Sequence, residues 1–268
     1  MHPSPRRRRL AASMPLALIA VLAIAAFAPT ASATTSASTA ESMVISWFNS
    51  ARSARGLRPL RYDGDLAAIA GVRASRMASA NAMSHTIGGN LTSQLRAYGV
   101  RWYRYGENVG WSTATWPESS ARAIYNAWMG SSGHRALILS SRFNYVGVGL
   151  AYRSSNRKTF SSAVFSESPD HTRPIARTTG ATRSGDDVRW SWTGYDVRLQ
   201  THTAGLRDFD VQYRVNYGSW SLLRDNTNGY SLSLANRPRG RSYAIRVRGT
   251  DQRGNVGAWS SERRVWVP

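Results

Sequence analysis

Residues 115–139, TWPESSARAIYNAWMGSSGHRALIL, hold a helix followed by a polar cluster, and their reading sets the architecture of the first half of the chain. Thr115-Trp116-Pro117-Glu118 has the pattern of a capping box with proline in the first turn. Ala121, Ile124, Tyr125 and Trp128 then recur at helical spacing and predict a buried stripe. Ser131-Ser132-Gly133-His134-Arg135 follows, a run of hydrogen-bonding groups around one imidazole, at the junction of an element and a loop.

Upstream, Val44, Trp47, Phe48 and Ala51 mark an earlier helix that Gly56 ends. Leu66, Ile69, Ala70 and Met77 mark a second, with Asp63 and Asp65 as cap candidates. Residues 91–98 give a short third helix closed by Gly99. Downstream, residues 145–152 (YVGVGLAY) and 159–167 (TFSSAVFSE) read as strands, so this half is a mixed α+β domain. Ser84-His85-Thr86 and Gly106-Glu107-Asn108 are two further polar clusters at element–loop junctions. No pair among the three clusters shows HxxxH or other local ligand spacing. On the residues alone, one shared site and three unrelated caps or turns both stand.

The chain has 268 residues, 42% of them hydrophobic and 19% charged, a globular composition of one or two domains. It has no cysteine, which excludes disulfide scaffolds, cysteine-ligated metals and a cysteine nucleophile. It also lacks a GxxxxGK[ST] or GxGxxG loop, which argues against nucleotide chemistry. Arg6 to Arg9, the 14 apolar residues of 15–28 and Ala31-Ser32-Ala33 read as a secretory signal peptide over residues 1–33. Arg7-Arg8 followed by Arg9-Leu10 also permits twin-arginine export. No later segment is apolar enough to cross a membrane, so the expected product is secreted, extracellular or associated with the cell envelope.

Without the four leader arginines, 31 basic and 15 acidic side chains remain, a formal charge of +16. Such a surface favours anionic partners, and the scatter of its arginines favours no specific nucleic-acid site.

Residues 34–40 (TTSASTA) read as a flexible lead-in, 41–168 as the mixed domain and 169–176 as a linker, which overlaps the polar, proline-containing stretch SESPDHTRP of residues 166–174. Residues 177–268 read as an all-β module. VRWSW (188–192), DVQYRV (210–215), YSLSL (230–234) and YAIRVR (243–248) alternate at strand period, with turn-rich segments at 226–229 and 237–240. Trp190, Tyr213 and Trp220 are read there as core and edge aromatics, with a sugar platform as the other reading.

Residues 46–165 resemble the CAP superfamily of cysteine-rich secretory, antigen 5 and pathogenesis-related 1 proteins, in its cysteine-free, SCP-like bacterial branch. The resemblance is carried by Asn49-x-x-Arg52, Gly56-Leu57-x-Pro59-Leu60, Met83-Ser84-His85 and Gly106-Glu107-Asn108-Val109-Gly110. It continues through Ala127-Trp128-Met129-x-Ser131-x-Gly133-His134-Arg135, Ile138-Leu139 and Val146-Gly147-Val148-Gly149. Tyr243-x-x-Arg246-Val247-Arg248-x-x-Asp251 with Gly254-Asn255 and Trp259-Ser260 resembles the end of a fibronectin type III domain.

The first resemblance implies an α-β-α sandwich with a cleft lined by two histidines and two acids. Its positions fall on His85, Glu107 and His134, while the second acid position is Ser131. Asn108, Ser131 and Arg135 are expected to line the cleft. Two imidazoles and a carboxylate make His85, Glu107 and His134 the candidate zinc ligands, and the same three the catalytic candidates of a metal-dependent hydrolase. No cofactor is required on this reading, and without the second acid the general base is missing. Glu107 can equally accept from both histidines in a purely structural network. Tyr103, Tyr105, Trp111 and Trp116 belong to the core or line a groove for an apolar or sugar ligand. The expected function is chiefly binding of an anionic envelope polymer, a lipid or a protein. A zinc-dependent peptidase and a structural cell-wall protein are the alternatives.

Overall fold

The computed structural model describes residues 36–268; the leader segment and its export signal lie outside them. Five helices occupy the first half: α1 (Ala37–Ser53), α2 (Gly64–Ala80), α3 (Leu91–Ala97), α4 (Glu118–Gly130) and α5 (Ser132–Ile138). They surround a four-stranded sheet of β1 (Arg61–Tyr62), β2 (Arg104–Ser112), β3 (Tyr145–Arg153) and β4 (Lys158–Glu167). The strand order is β1-β3-β4-β2, which leaves β2 at an edge.

Side chains alternate across the strands, so each face has its own core. Phe48 of α1, with Ile124 and Trp128 of α4, packs with Val146, Ala163 and Phe165 on one face. Leu66, Ile69 and Leu95 of α2 and α3 pack with Tyr145 and Val164 on the other. This is the α-β-α sandwich that the resemblance implied. Gly147 and Gly149 set the spacing on the α2 face. A Cβ on Gly147 would stand 2.0 Å from the Ala67 amide nitrogen, and one on Gly149 2.3 Å from that of Gly71.

Arg52 is wholly buried in the α1 stripe, one position on from the expected Ala51. Its guanidinium donates to the carbonyls of Arg58, Ile138, Ser140 and Phe143 and so pins the loop after α5. Burial without a carboxylate partner lowers its pKa to about 10.

Three local readings change. The lead-in is helical from Ala37, because Ser36 caps α1 by accepting from the Thr39 amide and Ala40 is buried in the core. The capping box before α4 does not form: Pro117 is the N-cap and has no side-chain oxygen to offer. The Ser120 side chain ties the turn instead, by donating to the Ala114 carbonyl. Gly106-Glu107-Asn108 lies inside β2, whose glycines and polar residues carry little strand signal.

The second half has seven strands: β5 (Ile175–Ser184), β6 (Asp187–Tyr195), β7 (Leu206–Val215), β8 (Ser221–Thr227), β9 (Ser231–Leu234), β10 (Arg241–Asp251) and β11 (Arg263–Val267). They form two antiparallel sheets ordered β5-β6-β9 and β11-β10-β7-β8. Trp190, Trp192, Phe209, Val211, Tyr243, Ile245 and Val247 fill the space between them. The Tyr243 hydroxyl donates to the Pro238 carbonyl at 2.5 Å, the tyrosine corner of this class of sandwich. The fold is thus a fibronectin type III-like sandwich. Trp190 is core, whereas Trp220 lies on the outer side of the four-stranded sheet.

The two halves are wired together. Leu199, in the β6–β7 connection, joins the core beneath α2. Gln200 accepts from the Arg58 amide, and His202 meets Glu167 at 3.0 Å. The stretch read as linker is packed, with Ser168 and Asp170 buried. Asp170, Asp196 and Asp251 converge there, and their carboxylates accept from the backbone amides of Thr172, Ala204, Val197, Gly205, Arg253 and Asn255.

Candidate functional site

The site wraps around the edge strand β2. Successive residues face opposite sides of a strand, and Glu107 and Asn108 do so here. Glu107 points to the α2 side, where it meets Arg73 and His85. Asn108 points to the α5 side and donates to the His134 carbonyl at 3.0 Å. Arg135 donates to the Met129 carbonyl and holds the α4–α5 corner.

Glu107 is nearly enclosed, and its carboxylate is fully engaged. Oε1 accepts from Arg73 Nε at 2.5 Å and from the Ser162 hydroxyl at 2.7 Å. Oε2 accepts from Arg73 Nη2 at 2.9 Å and meets His85 Nδ1 at 3.0 Å. Arg73, wholly buried, also donates to the carbonyls of His85 and Gly89 and to Gln94 Oε1. One guanidinium therefore neutralises the acid, fixes the backbone under His85 and ties α2 to α3.

His134 lies on the other side, half-buried in an apolar pocket of about 230 Å³ with Met83, Val109, Trp111, Ile124, Trp128 and Ser131. Burial, and then repulsion from His85, lowers its pKa, so the imidazole is neutral at neutral pH. His85, with Thr86, Asn90, Leu91, Tyr105 and Glu107, lines a second pocket of about 440 Å³ on the α2 side. Trp111 and Tyr105 stand exposed beside these pockets. Trp116 instead stacks on Tyr152, and Tyr103 on His202, both away from them.

A metal finds a poor seat here. The carboxylate expected to ligate it is already taken by a two-point guanidinium, a serine and His85, which together use the four acceptor positions a carboxylate offers. Among the described residues, His85, Glu107 and His134 do not bring three ligand atoms within 4.8 Å of one another, as Asp170, Asp196 and Asp251 do. The donor set therefore does not fit zinc in the His₂Glu mode. Arg73, Ser162 and Gln94 escaped sequence reasoning, although Arg73 carried a signal: it sits at i+3 from Ala70 and i+4 from Ile69 on the apolar stripe of α2.

The family model of the cysteine-rich secretory protein family, CAP, matches residues 45–165. The chain carries a CAP domain. Its sequence is 33% identical over 111 residues to the uncharacterised protein YkwD of Bacillus subtilis (strain 168), covering 41% of each chain. The chain thus spans about two-fifths of that relative. Among solved structures, an extracellular SCP-domain protein of Bacillus anthracis is 25% identical, with a TM-score of 0.42, covering 48% of this chain and 40% of that one. A fibronectin type III-like protein of Clostridium thermocellum is 16% identical, with a TM-score of 0.26, covering 36% of this chain and 96% of that one. Proteins with the CAP domain are typically extracellular, and no helix among the described residues is long and apolar enough to cross a membrane.

Proposed function

We propose that the protein works at the cell envelope or outside the cell, as a binding protein that takes an amphiphile into its CAP-domain cleft. The observation that carries this reading is the four-point engagement of Glu107 by Arg73, Ser162 and His85. A carboxylate so neutralised is neither a general base nor a free metal ligand, and Ser131 without a basic partner does not replace it. What remains is an apolar pocket beneath Trp111 and Trp128 with the His134 imidazole in its wall, which suits an apolar group with a polar head. No step of this reading needs zinc.

Equilibrium binding of palmitate by the purified protein, followed by tryptophan fluorescence, tests it. Saturable binding that Ile124→Trp, a residue filling the pocket, weakens at least tenfold is the expected result. Hydrolysis of a peptide or ester panel that Glu107→Gln or His134→Ala abolishes would replace binding by catalysis.

A further inference from the structure

The outer face of the β11-β10-β7-β8 sheet carries a continuous stack of alternating guanidinium and aromatic groups. Trp220 lies between Arg214, at 4.5 Å, and Arg246, at 4.6 Å. Trp259 lies between Arg246, at 5.0 Å, and Arg248, at 4.6 Å. Arg264, 4.1 Å from Tyr217, extends the stack toward β11.

Each arginine is held from behind. Arg246 Nε donates to Gln212 Oε1 at 2.8 Å, Arg248 Nε to Asp210 Oδ2 at 2.9 Å, and Arg214 and Arg264 share Glu262. The terminal nitrogens of Arg246 and Arg248 make no hydrogen bond to any described residue, and Arg248 is about one-third exposed. Two planar forks are thus oriented by packing and left with open donors. Burial, and then repulsion by Arg214 and Arg248, lowers the pKa of Arg246, as expected of cations crowded without enough counter-charge. Residues 174–268 carry 15 basic and 8 acidic side chains, so the domain around the stack is itself positive.

The chemistry of the stack selects its occupant. The negatively polarised ring faces are consumed by the guanidinium groups, leaving ring edges and N–H edges toward solvent, and both are positive. A fork of this kind pairs with phosphate or carboxylate oxygens. A phosphodiester offers two unesterified oxygens per unit, repeats along its chain and stays charged throughout the pH range in which proteins fold. Single-stranded nucleic acid is disfavoured, because its binders stack bases on free ring faces and both faces of Trp220 and Trp259 are covered. From this arrangement we infer that the fibronectin-like domain holds a baseless phosphodiester polymer of the envelope, through Arg246 and Arg248.

The test is the affinity of the purified protein for lipid-free poly(glycerol phosphate), with an equally long single-stranded DNA and hyaluronan as comparators, at 50 and 200 mM NaCl. The glycerol phosphate polymer should bind most tightly and lose about tenfold over this salt range, as for two or three neutralised phosphates. Arg246→Gln/Arg248→Gln should weaken binding at least tenfold. Arg177→Gln/Arg183→Gln, which removes the same charge from β5 of the other sheet, should leave it within twofold. Thermal unfolding shows whether each variant folds, and Arg248→Gln alone, losing at least threefold, serves if the double variant does not. Equal loss in the β5 variant would reduce the effect to net charge and overturn the assignment. DNA or hyaluronan binding as tightly as the polymer would overturn it too, as would full affinity in Arg246→Lys/Arg248→Lys, which keeps the charge without the forks.

Discussion

Arg73 lies wholly buried against Glu107, with Nε 2.5 Å from Oε1 and Nη2 2.9 Å from Oε2. This pair decides what the CAP-domain cleft is able to do. A buried ion pair gives little net stability, but leaving one member alone costs about 3–5 kcal/mol. Glu107→Gln strands the guanidinium and should lower the unfolding midpoint by roughly 6–20 °C, at about 2–4 °C per kcal/mol. Arg73→Met/Glu107→Gln should cost less than the sum of the single changes. Calorimetry of the four proteins measures the coupling.

Zinc should leave the parent's midpoint unchanged within about 1 °C. Arg73→Met frees the carboxylate beside His85, so zinc should raise the midpoint of that variant. A ligand at 100 times its Kd contributes about 2.7 kcal/mol, enough for roughly 5–10 °C. A rise of that size in the parent, lost in His85→Ala/His134→Ala, would show that a metal displaces Arg73.

Gly147 is the closest approach of the sheet to α2. Gly147→Ala drives a methyl group into the backbone at Leu66 and Ala67 and should cost about 3 kcal/mol or more. Gly71→Ala, in the middle of α2 with nothing within 4 Å of the new carbon, should stabilise by about 0.5–1 kcal/mol. Urea titration of the two variants gives both signs in one experiment.

His171 Nε2 meets Asp63 Oδ2 at 2.7 Å, joining the segment before β5 to the cap of α2. Burial disfavours the charge on each, but their mutual hydrogen bond and attraction outweigh it, raising His171 above 6.5 and lowering Asp63 below 3.8. The histidine's contribution is complete below pH 6.5 and fades as pH rises through its raised value. That of the aspartate is complete above pH 3.8 and is lost as pH falls through its lowered value. The advantage of the parent over His171→Gln should therefore be greatest near pH 5 and shrink by pH 8. His171 is about half exposed, although Asp63 is not, so screening holds the effect to about 1 kcal/mol. Midpoints of both proteins from pH 4 to 8 measure it.

The helices were legible because their stripes are local. Leu66, Ile69, Ala70 and Met77 announce α2 by spacing, and Asp63 caps it as its position before the stripe suggests. β2 was hidden because Gly106, Glu107 and Asn108 have little preference for strands and owe theirs to pairing with Phe165, Val164 and Ala163. The sandwich strands at 188–192 and 243–248 alternate clearly. β8 does so weakly, its side chains being largely exposed.

By itself the sequence determined two halves of different class, the stripes of the main helices and the resemblance that singles out His85, Glu107 and His134. Tertiary structure decided their partners. Arg73 stands 34 positions from Glu107 and Ser162 stands 55. The ring of Trp220 is enclosed by arginines of two strands, and Glu107 and Asn108 are parted by the plane of an edge strand. Periods of 3.6 and 2 report which face of an element is buried. What it is buried against follows from chain crossings that no local period encodes.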